Sequence, residues 1–307
     1  MSVPIYTSFP NRMKPSIEDI EFHGISALRL NGPRGSSVVV ARQGAQVLSW
    51  ITPDGRERLF LSDKAVFDGS VAIRGGIPVC WPQFAGLGDL PKHGFVRTRA
   101  WQVTARRQGD DYALATLSIE DDAETRALWP HAFRLELTVM LEADRLDLEL
   151  CVVNPGGADF SFTGALHTYL RVVQVEDVAL EGLYGHDYRD AAQGDKVVRD
   201  TGTELTIDRE TDRVYRRVRR PQLLKAGNLS LGIQSQDFTD VVVWNPWVDK
   251  CAALADMPAD GWRHMLCVEA AVADTPVVVP AGEEWYGRQT LVAGYLTLLF
   301  VPDFTRA

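Results

Sequence analysis

Residues 133–152 alternate apolar and polar side chains with a period of two, a pattern that a helix cannot bury on one face. Phe133, Leu135, Leu137, Val139 and Leu141 fall on one side, with Arg134, Glu136, Thr138 and Glu142 on the other. After Ala143-Asp144, Leu146, Leu148, Leu150 and Val152 repeat the pattern against Asp147 and Glu149. Two such runs joined so tightly make an antiparallel hairpin with one buried and one wet face. Similar strand-like runs recur at 37–42, 45–51, 101–106, 112–120, 160–165, 229–236, 241–244, 265–270, 275–279 and 289–300, with Gly, Pro, Asn and Asp between them. Helical periodicity never lasts beyond a few turns. Short helices are expected near 124–129 and 248–256, with a further turn at 16–20. The pattern predicts an all-β chain, a sandwich of large antiparallel sheets with few short helices. Large β-sandwiches run well past ~200 residues as one unit. With no linker and no repeat, the 307 residues read as one domain, its core at about 20–300.

Charge narrows the function classes. A net charge of -9 with a pI near 5.2 argues against the basic footprint that nucleic acids and anionic membranes require. It leaves anionic small molecules open, since a few local arginines decide that. The first 22 residues lack the basic flank and apolar core of a secretory signal, and no apolar run reaches the ~18 residues that span a bilayer. The run from Val292 to Val301 is interrupted by Gly294, Tyr295 and Thr297 and reads as a terminal strand. Cys80, Cys151, Cys251 and Cys267 are widely spaced among apolar neighbours and read as buried, reduced thiols. A cytoplasmic monomer is the expectation.

The densest unusual segment is IRGGIPVCWPQFAGLGDLPKHGFVRTRAW at residues 73–101, which sets Arg74, His93 and Arg97 among glycines, prolines and aromatics. It reads either as a binding loop or as a packed loop with its arginines in structural ion pairs. His167, in GALHTYLRV, has a strand-like context in which a lone histidine is more often a satisfied structural residue. Glu269, in MLCVEAAV, is a carboxylate inside an apolar strand, so it must be paired, protonated or functional. Desolvation would raise its pKa, which suits a general base near neutrality. Asp212 reads as a turn residue or a partner of Arg213. Trp244 reads as core, at the end of VVV; Trp247 could be core or a sugar-stacking ring. The six histidines show neither H-x-x-x-H nor H-x-H spacing, so no metal cage suggests itself. Phosphate-binding and dinucleotide-binding glycine motifs and a G-x-S-x-G elbow are missing too.

Taken in order, IRGGIPVCWPQF, HGFVR, GALHTYLRV, ETDRVY, VVVWNPWVDK with ALADM, MLCVEAA and VVVPAGEEWYGRQTL resemble the aldose 1-epimerase superfamily, and within it the hexose-6-phosphate mutarotase branch. The resemblance implies a galactose-mutarotase-like β-supersandwich and a sugar site on its concave face. It also implies interconversion of the α and β anomers of a phosphorylated hexose, without cofactor or metal. By the same resemblance Glu269 is the base at the C1 hydroxyl and His167 the acid at the ring oxygen. His93, Asp212, Arg74, Gln83 and Arg97 bind substrate, with the two arginines on the 6-phosphate. A mutarotase of unphosphorylated aldoses such as galactose and a non-catalytic carbohydrate-binding protein are the alternatives. Two positions depart from the family pattern. Trp81 stands where a phenylalanine is expected and would narrow the pocket, and AAV follows Glu269 where a proline–glycine turn is commoner.

Overall fold

In the computed structural model, which describes residues 14–227 and 229–294, the 133–152 alternation becomes strands Arg134–Leu141 and Arg145–Val153. They pair antiparallel, Arg134 opposite Val153 and Leu141 opposite Leu146. All eight leucines and valines read from the pattern as facing inward on these two strands are fully buried. Asp147, read as wet, is also buried, because Arg145 and Thr290 close over its carboxylate.

This hairpin is the middle of a nine-stranded antiparallel sheet. On one side lie Ala113–Glu120 and Gln102–Gln108; on the other Glu284–Gly294, Leu229–Gln236, Gln222–Ala226, Val178–Glu181 and Glu204–Thr206 follow in turn. A second sheet, of eight strands, runs Lys196–Arg199, Asp187–Asp190, Thr211–Tyr215, Asp240–Asn245, Met265–Val279, Phe160–Leu166 and Val79–Cys80, with Tyr169–Arg171 also paired to Met265–Val279. Leucines and valines from both large sheets share one core. A four-stranded meander, Ser16–Phe22 through Val47–Ile51, completes the molecule.

Alternation along Met265–Val279 decides where chemistry can sit. Leu266, Val268, Ala270 and Val272 point into the shared core. Glu269 falls on the opposite side with Ala271 and Ala273, which join Cys80, Phe84, Ala165, Val214 and Val242 in a separate apolar floor. The AAV after Glu269 therefore continues the strand: pairing with Asp240–Asn245 runs unbroken from Trp244 opposite Cys267 to Asp240 opposite Ala271.

Four local readings are corrected. Residues 16–20 are a strand, not a helical turn: His23 and Gly24, at φ 49° and 82°, turn the chain back so that Ser16–Phe22 pairs residue by residue with Ile25–Asn31. The helix expected at 248–256 runs only Trp247–Ala252, after which the chain turns and Ser62 Oγ donates to the Asp256 carbonyl. Asp212 lies in a strand and not a turn, and Arg213 pairs instead with Asp190 at 3.6 Å. Trp81 does not face the side that carries Glu269. One residue beyond Cys80 on the floor, it points the other way, fully buried against Phe95, Trp129, Phe133, Phe160 and Phe162. The helix read at 124–129 forms at Ala123–Leu128, capped by Asp122. The last strand is described to Gly294, so the remainder of the 289–300 run lies outside the described residues. Among the described residues no helix is long and apolar enough to cross a membrane.

Candidate active site

His167 occupies the short break between Phe160–Leu166 and Tyr169–Arg171, both of which pair with Met265–Val279. That shared partner brings it to Glu269: Nδ1 lies 3.4 Å from Oε1. Both side chains are buried, yet His167 Nδ1 and Glu269 Oε2 have no hydrogen-bond partner. Buried polar groups left open in a folded protein call for an explanation, and here the two lie on side chains that face each other. Burial, reinforced by the nearby charge of Asp212, pushes the Glu269 carboxyl well above its usual 4.5. Burial, with His93, Arg97 and Arg74 beside it, pushes the His167 imidazole well below 6.5. Both groups are driven toward their neutral forms, which sets a protonated carboxyl beside a neutral imidazole.

His93 comes from the long loop. Its φ is +65° and that of Gly94 is +70°, and a Cβ on Gly94 would lie 1.9 Å from the Trp81 carbonyl oxygen. Only glycine lets the loop fold this tightly against the sheet. The corner delivers the His93 ring to 5.4 Å from that of His167. The Ala85 N–H donates to His93 Nδ1 at 3.3 Å, which leaves the proton of the neutral ring on Nε2. Burial, then the charges of Arg97, Lys92 and Arg74, lower its pKa from 6.5 to about 3. His93 is therefore a hydrogen-bond donor of fixed tautomer and not an acid.

The remaining predicted residues divide. Asp212 sits opposite Trp244 on the neighbouring strand, half-buried, with Lys250 3.7 Å away; burial raises its pKa, opposed chiefly by Lys250. Arg97 is half-exposed and donates to the Lys92 carbonyl at 2.9 Å; among the described residues no carboxylate pairs with it, and its charge reaches both histidines. Arg74 is engaged within the protein: Nε donates to Asp256 Oδ2 and a terminal nitrogen to the Tyr169 hydroxyl, both at 3.1 Å. Gln83 uses its side-chain amide on its own loop, donating to the carbonyls of Ala85 and Leu90 and accepting from Leu90 N–H.

Sequence reasoning missed Tyr169, whose ring stacks on His167 at 4.7 Å and 11°. It also missed Asp256, which lies 182 residues from Arg74 in the chain; the only local signal was ALADM in the family pattern. Trp244, read as core, closes edge-on against both His167 and Tyr169. Donor atoms of His167, Cys267 and Glu269 lie within 4.8 Å of one another, the only such trio among the described residues. That nitrogen, sulfur and oxygen set is of the kind zinc accepts. Burial, though, holds the Cys267 thiol protonated, well above 9.0.

The aldose 1-epimerase family profile matches residues 26–291. The chain belongs to the aldose 1-epimerase family. It is an epimerase of the isomerase class, with the β-sandwich fold of the mutarotases. A Cenchrus ciliaris protein provisionally named glucose-6-phosphate 1-epimerase is 35% identical over 283 residues, covering 88% of this chain and 85% of its own. An Escherichia coli K12 protein of the same provisional name is 35% identical over 238 residues, 76% of this chain and 79% of its own. The solved structure of the provisionally named mutarotase YeaD from Salmonella typhimurium superposes with a TM-score of 0.82 at 28% identity, over 91% of this chain and 97% of its own. The galactose 1-epimerase of Lactobacillus acidophilus, at 14% identity and a TM-score of 0.70 over 92% of this chain and 99% of its own, shares the fold.

Proposed function

We propose that this epimerase interconverts the α and β anomers of a hexose 6-phosphate, glucose 6-phosphate being the prime candidate, by acid–base ring opening between Glu269 and His167. The observation that carries the chemistry is the buried pair itself, 3.4 Å apart and with an unpartnered polar atom on each side chain. Glu269 takes the proton of the C1 hydroxyl while His167 gives one to the ring oxygen. The C1–O5 bond breaks to leave an open-chain aldehyde, the C1–C2 bond rotates, and the reverse transfers close the ring on the other face. Atoms and protons balance within the pair and the sugar.

The productive form has the proton on His167 and the charge on Glu269. It differs from the neutral pair only in where one proton sits. A bound sugar favours it, because the C1 hydroxyl donates to the carboxylate and an anionic phosphate nearby supports an imidazolium. The Nε2–H of His93 is available to hydrogen-bond the sugar beside the ring oxygen, and Asp212 to accept from other hydroxyls.

Phosphate recognition rests on Arg97, a guanidinium with no carboxylate partner among the described residues and the geometry to grip a phosphate. The provisional names of the Cenchrus and Escherichia coli relatives point the same way. His167→Ala tests the acid: the rate of anomer exchange on glucose 6-phosphate should fall at least ~10²-fold, the low end for general acid catalysis. A rate near wild type would reassign that proton.

A further inference from the structure

We propose that Tyr169 is a positioning residue that orients the His167 imidazole, and that Arg74 and Asp256 serve it as an anchor. The inference rests on His167 being the acid.

A working histidine is usually oriented by a carbonyl or carboxylate of another residue on its second ring nitrogen, and no hydrogen bond from His167 Nδ1 to another residue does this here. Its Nδ1 has no hydrogen-bond partner, and the contact with Glu269, at 3.4 Å, is with the group it must exchange protons with. What fixes the ring is packing. Tyr169 lies parallel on one face, centroids 4.7 Å apart and planes 11° from coplanar. Trp244 meets His167 edge-on at 6.0 Å and 84°, and meets Tyr169 at 6.0 Å and 81°. The imidazole lies flat on the tyrosine, with Trp244 and, at 5.4 Å and 65°, His93 meeting it edgewise, so the stacked tyrosine sets its tilt.

The tyrosine ring is pinned at both ends. Its backbone pairs with Cys267 in the strand that carries Glu269. Its hydroxyl accepts from Arg74, whose Nε donates to Asp256. Burial raises the Tyr169 pKa, and the hydroxyl stays a neutral phenol. Ser62 ties the two outer members together: its Oγ donates to the Asp256 carbonyl at 2.6 Å, and its N–H donates to the Arg74 carbonyl at 3.0 Å. Gly76 is what allows Arg74 to sit there. At φ +62°, a Cβ on it would lie 2.1 Å from the Val47 carbonyl oxygen. The RGG corner thus shapes an anchor for the acid, and the arginine left without a carboxylate partner to meet phosphate is Arg97.

Misplacing a catalytic group by about 1 Å can cost up to ~10²-fold in rate. The test measures kcat and KM for anomer exchange in Tyr169→Phe, Tyr169→Leu, His167→Ala and the Tyr169→Leu/His167→Ala double variant. Tyr169→Leu should lose about tenfold or more in kcat, with KM within about twofold. Tyr169→Phe keeps the stack but loses the hydroxyl that Arg74 holds, so it should cost about threefold, clearly less than Tyr169→Leu. In the His167→Ala background, Tyr169→Leu should cost nothing further, because the ring it orients is gone.

A wild-type kcat in Tyr169→Leu, an equal loss in Tyr169→Phe, or a full further loss on top of His167→Ala would each overturn the proposal. If His167→Ala itself turned over like wild type, the acid assignment would fail first, and visibly so. Should Tyr169→Leu not fold, Asp256→Asn carries the same test by releasing Arg74. It should lower kcat about threefold, as Tyr169→Phe does, at constant KM and with no effect without His167; an unchanged kcat would refute the anchor.

Discussion

Replacing Glu269 by Gln separates the chemistry of this site from its shape. The carboxylate is 1% exposed, and His167 Nδ1 lies 3.4 Å from it. Glutamine keeps the volume and one acceptor oxygen but cannot take a proton. A positioned general base contributes ~10²–10⁴ in rate, so kcat should fall by at least ~10². The amide can still hydrogen-bond the C1 hydroxyl, so KM should stay within about threefold. At pH 4.5 or below, stability should change little, since Glu269 Oε2 already lacks a partner; a Tm shift within ~2–4 °C corresponds to ~1 kcal/mol in a large domain.

The pH dependence has a definite sign. The folded-state pKa of Glu269 lies above its unfolded value, so the stability from its protonated form is complete below pH 4.5 and is lost as pH rises through the folded value. The Tm of wild type relative to Glu269→Gln should therefore decline as pH rises from 4.5. Anomer exchange by magnetisation-transfer NMR and thermal melts across pH check both parts. An active Glu269→Gln variant, or a Tm difference that grows with pH, would refute the reasoning.

Three further outcomes follow from the site. Arg97→Ala should raise KM for a 6-phosphate by about tenfold or more, the loss expected for a charged hydrogen bond, and leave KM for free glucose unchanged; equal effects in steady-state assays would remove Arg97 from the phosphate. Gly94→Ala should destabilise by about 2 kcal/mol or more in denaturant melts, because its Cβ would meet the Trp81 backbone, whereas Gly86→Ala in the same loop meets nothing within 4 Å and should be near neutral. His93 has a depressed folded pKa, so its stabilising effect is present above 6.5 and is lost as pH falls toward about 3. His93→Gln should flatten that acid-side loss of Tm, and an unaltered acid limb would contradict the neutral tautomer.

Much of the fold was legible because alternation is a local signal: the 133–152 run shows which side is buried and where the turn falls without reference to the rest of the chain. The Ser16–Phe22 strand was not legible, since Ile17 and Ile20 also suit a helical turn and only pairing across His23-Gly24 decides the matter. Trp81 was misplaced for a related reason. Its direction depends on which side of Val79–Cys80 faces the floor, a register set by Phe160–Leu166.

At the site, Glu269 was conspicuous as a charge in an apolar strand, and His93 and Arg97 lay in a segment of odd composition. His167 and Asp212 looked structural, and only the resemblance to mutarotases gave them a role. Asp256, Ser62 and Tyr169 carried no chemical signal of their own. What joins them to Arg74 and His167 is tertiary contact between segments far apart in sequence.

The central claim is that this pair opens the ring of a phosphorylated hexose. Magnetisation exchange between the anomeric protons of glucose 6-phosphate, run in parallel with free glucose, tests it most directly. The account predicts exchange strongly accelerated for the phosphate and much less for glucose. Acceleration of glucose alone, or of neither sugar, would contradict it.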